Sequence, residues 1–302
     1  MRLDDERESS NIEDRRGEGG GGFGFPGMGG GGLQLGGGRL GCGGIIVLGI
    51  IALVFGINPL TLLGGAGGGP GAPTQEQIGQ PQSASPQGRP TSEMDRFVAR
   101  VLATTEDTWT AQFEKEVGKP YRDPKLVLFS GSIRSGCGAA EAAMGPFYCP
   151  ADQKVYLDQS FFDELARRFG APGDFAAAYV IAHEVGHHVQ NLLGISQQAQ
   201  DAQNRASKTG ANEISVRVEL QADCLAGVWA KANSNLLDPG DVEEAIRAAT
   251  AIGDDTLQKA AQGVVVPESF THGTSAQRVH WFQQGLSGGT IKGCDTFGAQ
   301  SL

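Results

Sequence analysis

The chain has 302 residues, a formal net charge of −10 and 39% hydrophobic residues. That length suits one sizeable domain plus appendages, and the acidic balance, with no basic cluster in the C-terminal region, argues against a nucleic-acid partner. Glycine, at 47 residues, is far above the usual share and is concentrated near the N-terminus.

From Gly17 to Gly44, 17 of 28 residues are Gly. Such a stretch buries too little apolar surface to fold, so residues 1–43 read as a disordered tail. Residues 44–63 are uncharged and mostly apolar, the length of a membrane-spanning helix. Asn58-Pro59 would kink or shorten its far end. A cleaved signal peptide fits poorly, because the preceding region is too long and no small-residue cleavage site follows. Leu40-Gly41-Cys42 is not a lipoprotein box, since the apolar run follows the Cys. Arg2, Arg7, Arg15, Arg16 and Arg39 precede the run, and no Lys or Arg lies between Leu40 and Gly88. The positive-inside rule then places the N-terminus in the cytoplasm and the C-terminal domain outside, with a single pass through the inner membrane. Residues 64–91, rich in Gly, Pro, Gln and Ser, read as a linker.

The folded domain is expected over 92–302. Phe97, Val101, Trp109, Phe113 and Val117 recur at helical spacing, predicting an amphipathic helix over 93–117. Residues 125–130 are short and apolar, as a strand is. Phe147-Tyr148-Cys149 and Lys154-Val155-Tyr156-Leu157, separated by a Pro150-Ala151-Asp152 turn, predict a hairpin. Val155 to Leu157 is the candidate edge strand for an extended peptide. Residues 161–169 form a short helix. A buried helix follows over 175–193, with Asp174 as N-cap and Gly194 beyond its end. Residues 195–210 are polar surface, and a second buried helix spans about 216–232. Asp238-Pro239 opens another helix ending by Gly253, and Thr274-Ser275-Ala276-Gln277 is a capping box for the last.

The chemistry sits on the two buried helices. His183-Glu184-Val185-Gly186-His187 places two imidazoles one turn apart on one face, with Glu184 within reach of a metal-bound water. A third His six residues after His187 would complete one known arrangement, but Leu193 stands there and Gln190 replaces the glycine such a turn needs. The third ligand must come from elsewhere. Glu219-Leu220-Gln221-Ala222-Asp223 supplies it, with Glu219 as carboxylate ligand and Asp223, one turn on, as acceptor for the free ring N–H of His183. Ala222, Ala226, Gly227 and Ala230 are small enough to let two helices share a metal. His188 points about 100° away from His187 and is expected at the rim; His280 is expected at the surface.

Cys137, Cys149, Cys224 and Cys294 allow three pairings. The expected pairs are Cys137–Cys149, closing a short loop, and Cys224–Cys294, tying the ligand helix to the C-terminus, in an oxidising compartment. Cys42 would lie at the cytoplasmic edge of the span.

The residues resemble the bacterial neutral zinc metallopeptidase family. The likeness rests on Ser10-Asn11-Ile12-Glu13-Asp14-Arg15-Arg16-Gly17, on residues 146–152, on Ala182 to Gln190, on Glu219 to Cys224, and on Thr271-His272-Gly273-Thr274. A more distant similarity to membrane-associated gluzincins implies that His272 stabilises the oxyanion of the transition state, with Arg278 as its orienting partner. The combined expectation is an α+β, mainly helical, zincin-like domain with a small antiparallel sheet. Zn²⁺ would be held by His183, His187 and Glu219, with Glu184 as general base for peptide-bond hydrolysis. The alternatives are a membrane-tethered binding protein with a structural zinc and a zinc amidase acting on cell-wall peptides. The expected partners are a peptide or protein substrate and the membrane.

Overall fold

The sheet is assembled from strands far apart in sequence. In the computed structural model, which describes residues 1–18 and 91–302, strand β1 (Ile12–Asp14) lies beside β2 (Lys125–Leu128). A second strand pair, β3 (Ser132–Ser135) and β4 (Gly138–Glu141), forms a separate antiparallel hairpin. Then β5 (Phe147–Cys149) and β6 (Lys154–Leu157) complete the main sheet, in the order β1-β2-β6-β5. β1–β2 and β2–β6 are parallel, whereas β5–β6 is the expected antiparallel hairpin, with Phe147 opposite Tyr156. The sheet is therefore mixed, where a purely antiparallel one was expected.

The remainder is helical. Helix α1 (Glu93–Gln112) starts at Ser92, whose hydroxyl accepts from Asp95 N while Asp95 caps in return, and a π-helical turn extends it to Val117. Then come α2 (Ser160–Arg167), α3 (Asp174–Leu192), α4 (Ile195–Gln203), α5 (Lys208–Ala232), α6 (Asp241–Ala251), α7 (Asp254–Gln262) and α8 (Ser275–Gly288). The capping box at Thr274 and Gln277 is present, and Gly194 takes the left-handed conformation beyond α3. Two starts differ from expectation. Gly173, not Asp174, is the N-cap of α3, and α6 begins after Gly240 because Asp241 turns back to accept from Asp238 N.

Helix α3 is the spine. Fifteen of its 19 residues are buried, as an all-round apolar helix requires. It packs against α1, α5 and α6, with β5 and β6 on another flank. At Gly186 an added Cβ would stand 3.1 Å from Ala222 O on α5, so this glycine sets how closely the two helices approach. Helices α5 and α8 meet backbone to backbone: a Cβ on Gly285 would stand 1.8 Å from Cys224 O. Trp229 is fully buried and its indole donates to Thr104 Oγ1 at 3.0 Å, joining α5 to α1; truncating so large a core side chain costs about 3–5 kcal/mol. Cys137–Cys149 and Cys224–Cys294 are bonded, the pairing expected.

Residues 1–18 are a correction to the expected disordered tail. Leu3 and Ile12 are buried in the main core, and Ser9 N donates to Ala99 O on α1 at 3.0 Å. The Gly-rich tract, the 44–63 span and the linker up to residue 90 lie outside the described residues. Among the described residues no helix is long and apolar enough to cross a membrane.

Candidate functional site

His183 and His187 sit one turn apart on α3, ring centroids 4.8 Å apart. Each Nδ1 is already engaged. His183 Nδ1 donates to Asp223 Oδ1 and His187 Nδ1 to Gln190 Oε1, both at 2.8 Å. A carboxylate offers no proton, and the Gln190 amide is oriented by its own donation to Val218 O and Gln221 Oε1. Both rings therefore carry a proton on Nδ1, which turns Nε2 outward as a lone pair when the ring is neutral. The two Nε2 atoms face Glu219 on α5, at 3.1 Å from Oε2 for His183 and 3.6 Å from Oε1 for His187. Lone pairs set against a carboxylate repel unless a cation lies among them or a ring takes up a second proton. One ligand atom from each of the three residues falls within 4.8 Å of the others. Two imidazole nitrogens and a carboxylate are a donor set that suits zinc.

The electrostatics follow the same demand. Burial alone would pull His183 down, but the charge and hydrogen bond of Asp223, with Glu219, push it up to about 10. His187 is raised against burial by the Glu219 charge. Burial pushes Glu219 up, yet His187, His272 and His183 hold it well below the usual carboxylate range. Glu184 is buried and lines the same cavity of about 520 Å³; burial raises its carboxyl, partly offset by His187 and His183.

Asp223 is fully buried and its oxygens are fully used. Arg278 on α8 grips it with a fork, Nε to Oδ2 and Nη2 to Oδ1, both at 2.9 Å. Tyr179 donates its hydroxyl to Oδ1 at 2.5 Å. Burial would raise Asp223, but Arg278 and His183 hold it at about 2. Arg278 was expected to orient His272; it instead holds Asp223, because a planar guanidinium matches a carboxylate two atoms to two.

His272 is oriented by Asp254, at the start of α7. Asp254 Oδ2 accepts the backbone N–H groups of Thr271, His272 and Gly273 at 2.7, 2.6 and 3.1 Å, and its Oδ1 stands 3.3 Å from His272 Nδ1. His272 lines the cavity with Glu184 and Glu219. Burial lowers it, while the charges of Glu219 and Asp254 raise it further. Sequence reasoning missed Tyr179, Gln190 and Asp254 as supports. Tyr179 and Gln190 carry a local signal, lying four residues before His183 and three after His187; Asp254 has none, since its partner is 18 residues on.

Two further expectations are corrected. His188 is not at the rim. It is fully buried, bonded to Tyr148 Oη at 3.0 Å and to Arg122 O at 2.6 Å, because α3 has no solvent face there, and burial depresses it to about 4. Val155 to Leu157 is not the edge strand: β6 is interior, and the edge on the cavity side is β5, whose Phe147 and Tyr148 line the cavity. His280 is exposed, as expected.

A family model described as "putative neutral zinc metallopeptidase" matches residues 1–297. The chain belongs to that family. YpfJ of Escherichia coli (strain K12) is 50% identical over 306 residues, covering 99% of each chain. Rv2575 of Mycobacterium tuberculosis (strain ATCC 25618 / H37Rv) is 42% identical over 228 residues, covering 70% of this chain and 74% of that protein. Both carry only the description "uncharacterized protein". No solved structure matches the chain.

Proposed function

We propose that this member of the family is a zinc-dependent peptidase of the zincin-like class, with His183, His187 and Glu219 as the zinc ligands. The observation that carries the reading is the pair of Nε2 atoms aimed at Glu219, each ring fixed from behind by an acceptor on Nδ1. When bound, zinc supplies Lewis-acid polarisation of a carbonyl and acidifies a water. Glu184 takes the proton from the attacking water and returns it to the leaving amine. His272, fixed by Asp254, offers a hydrogen-bond donor to the developing oxyanion. The free edge of β5 receives the substrate backbone as an added strand. Arg278 and Tyr179 act on neither substrate nor metal; they keep Asp223 ionised and aimed at His183.

Glu184 separates this reading from a structural zinc, which has no use for a carboxylate on the cavity wall. The two bonded cysteine pairs support an oxidising, extracytoplasmic location for the domain, and the 44–63 run supports membrane association. The test is hydrolysis of a peptide library, and of cell-wall peptides, by the full chain with and without chelator. Zinc retained with no hydrolysis of any of these overturns the peptidase reading in favour of a structural zinc.

A further inference from the structure

The N-terminal segment is part of the domain's architecture. β1 extends the sheet beyond β2 in register, Ile12 to Leu126 through Asp14 to Leu128. The ladder runs on at both ends, with Leu126 N donating to Asn11 O and Arg15 N to Leu128 O, each at 2.8 Å. Side chains repeat the attachment. Ser9 Oγ and Asn11 Nδ2 both donate to Glu106 Oε1 on α1, at 2.5 and 2.9 Å. Glu13 pairs with Lys154 on β6 at 2.7 Å.

The arginines decide the meaning. The expected single crossing counted Arg2, Arg7, Arg15 and Arg16 as cytoplasmic charges. In the structure three of these four charges, Arg2, Arg7 and Arg16, are engaged by residues of the C-terminal domain. Arg7 reaches Glu106 and Asp107 at 2.8 and 2.6 Å, and Arg16 reaches Asp95 at 2.9 Å. Arg2 lies 3.5 Å from Asp238, whereas Arg15 pairs with Glu18 of its own segment at 2.6 Å. Asp95 also accepts from Thr91 N and Oγ1, at 3.0 and 2.8 Å. One buried carboxylate thus holds the last residues before the 19–90 tract and the first residue after it.

We propose that residues 1–18 are the edge strand and clamp of the helical domain, supplied by the same chain, and that they share its compartment. A chain with both flanks in one sheet crosses a membrane an even number of times between Glu18 and Thr91, or not at all. The apolar run 44–63 is then not a lone crossing, and Arg2, Arg7 and Arg16 ahead of it are fold contacts rather than a topology signal. Ile12 cannot pair with Leu126 across a bilayer whose core is about 30 Å thick.

Two measurements on the full chain test this, neither requiring zinc or hydrolysis. The first is labelling of intact cells with a membrane-impermeant maleimide, in a Cys42→Ser background, comparing the exposed sites Asp5→Cys and Glu114→Cys. Both should react or both stay protected; reaction at one alone overturns the proposal. The second is zero-length carbodiimide coupling of a mixture of isotopically light and heavy purified chains. Glu13 and Lys154 should couple within one chain, and Lys154→Arg should abolish the product. Light–heavy products alone would show a strand donated by a second copy. No product, with an Ile12→Asp variant melting like the wild type, would show the segment undocked. Either result overturns the proposal, and neither bears on the zinc reading.

Discussion

Asp223 Oδ1 stands 2.8 Å from His183 Nδ1, and the same oxygen takes the Tyr179 hydroxyl and one arm of Arg278. The carboxylate is thus held from three sides and cannot rotate away from the ring. Asp223→Asn should weaken zinc binding or activity by about 10–100-fold, the usual cost of losing a carboxylate behind a ligating histidine. Zinc titration with a competing chelator measures it. An unchanged affinity would mean that the Nδ1 proton of His183 is fixed by something other than Asp223.

Arg278→Met should be worse for folding than for chemistry. It leaves Asp223 as a buried charge facing only Tyr179 and His183. Breaking one side of a buried pair costs about 3–5 kcal/mol, read as a lower midpoint in urea. The double variant Arg278→Met with Asp223→Leu should recover part of that stability and none of the zinc affinity.

Glu184→Gln should bind zinc with near wild-type affinity and keep its melting temperature, while hydrolysis falls about 10²–10⁴-fold through loss of the general base. His272→Ala should also keep zinc while lowering kcat more than it changes KM. Asp254→Asn should act in the same direction, because one carboxylate holds both the His272 ring and the loop that carries it.

The metal-free protein should lose stability as pH rises. His183 is raised from its ordinary value of 6.5 to about 10 in the folded state. A raised histidine contributes stability that is complete below its unfolded pKa and is lost as pH climbs through the folded one. The melting temperature of chelator-treated protein should therefore fall between about pH 6.5 and 10. Zinc displaces that proton, so the rise in melting temperature on adding zinc should grow over the same interval. A zinc-induced rise that shrinks with pH would contradict the ligand assignment.

The two disulfides should differ in weight. Cys224–Cys294 spans 70 residues and Cys137–Cys149 spans 12. By loop-closure entropy the first contributes about 4 kcal/mol and the second about 3. Cys294→Ser paired with Cys224→Ser should lower the denaturation midpoint more than the matching change at the short loop.

Much of the site was legible in the sequence because its signals are local. His183 and His187 lie one helical turn apart with Glu184 beside them, Glu219 and Asp223 lie one turn apart, and helix periodicity alone puts each of these one-turn pairs on one face. The capping box at Thr274 and the β5–β6 hairpin were legible for the same reason. What escaped depends on partners distant in the chain. β1 is three residues in a charged stretch, and it is a strand only because β2, more than 100 residues later, offers it an edge. α7 is polar and short, and its first residue is buried because the loop at His272 closes over it. His188 was misplaced because angular position on a helix says which face a residue occupies, not whether that face meets solvent.

The hydrogen bonds behind His187 carry a direction. Its Nδ1–H gives to Gln190, the Gln190 amide gives to Gln221, and the Gln221 amide gives to Cys294 O at 2.9 Å. Each amide has an oxygen end and a nitrogen end, and a carbonyl can only accept, so Val218 O directly and Cys294 O through Gln221 both turn the Gln190 oxygen toward His187. One of the two ties that decide which nitrogen of His187 bears hydrogen thus lies at the far end of the chain, in a backbone carbonyl belonging to a disulfide-bonded cysteine. Cutting the Cys224–Cys294 bond would untie the terminus of this one-way relay. The anchoring of the C-terminal segment and the orientation of a buried histidine are thus joined through two amides, with Val218 O as a second, independent tie.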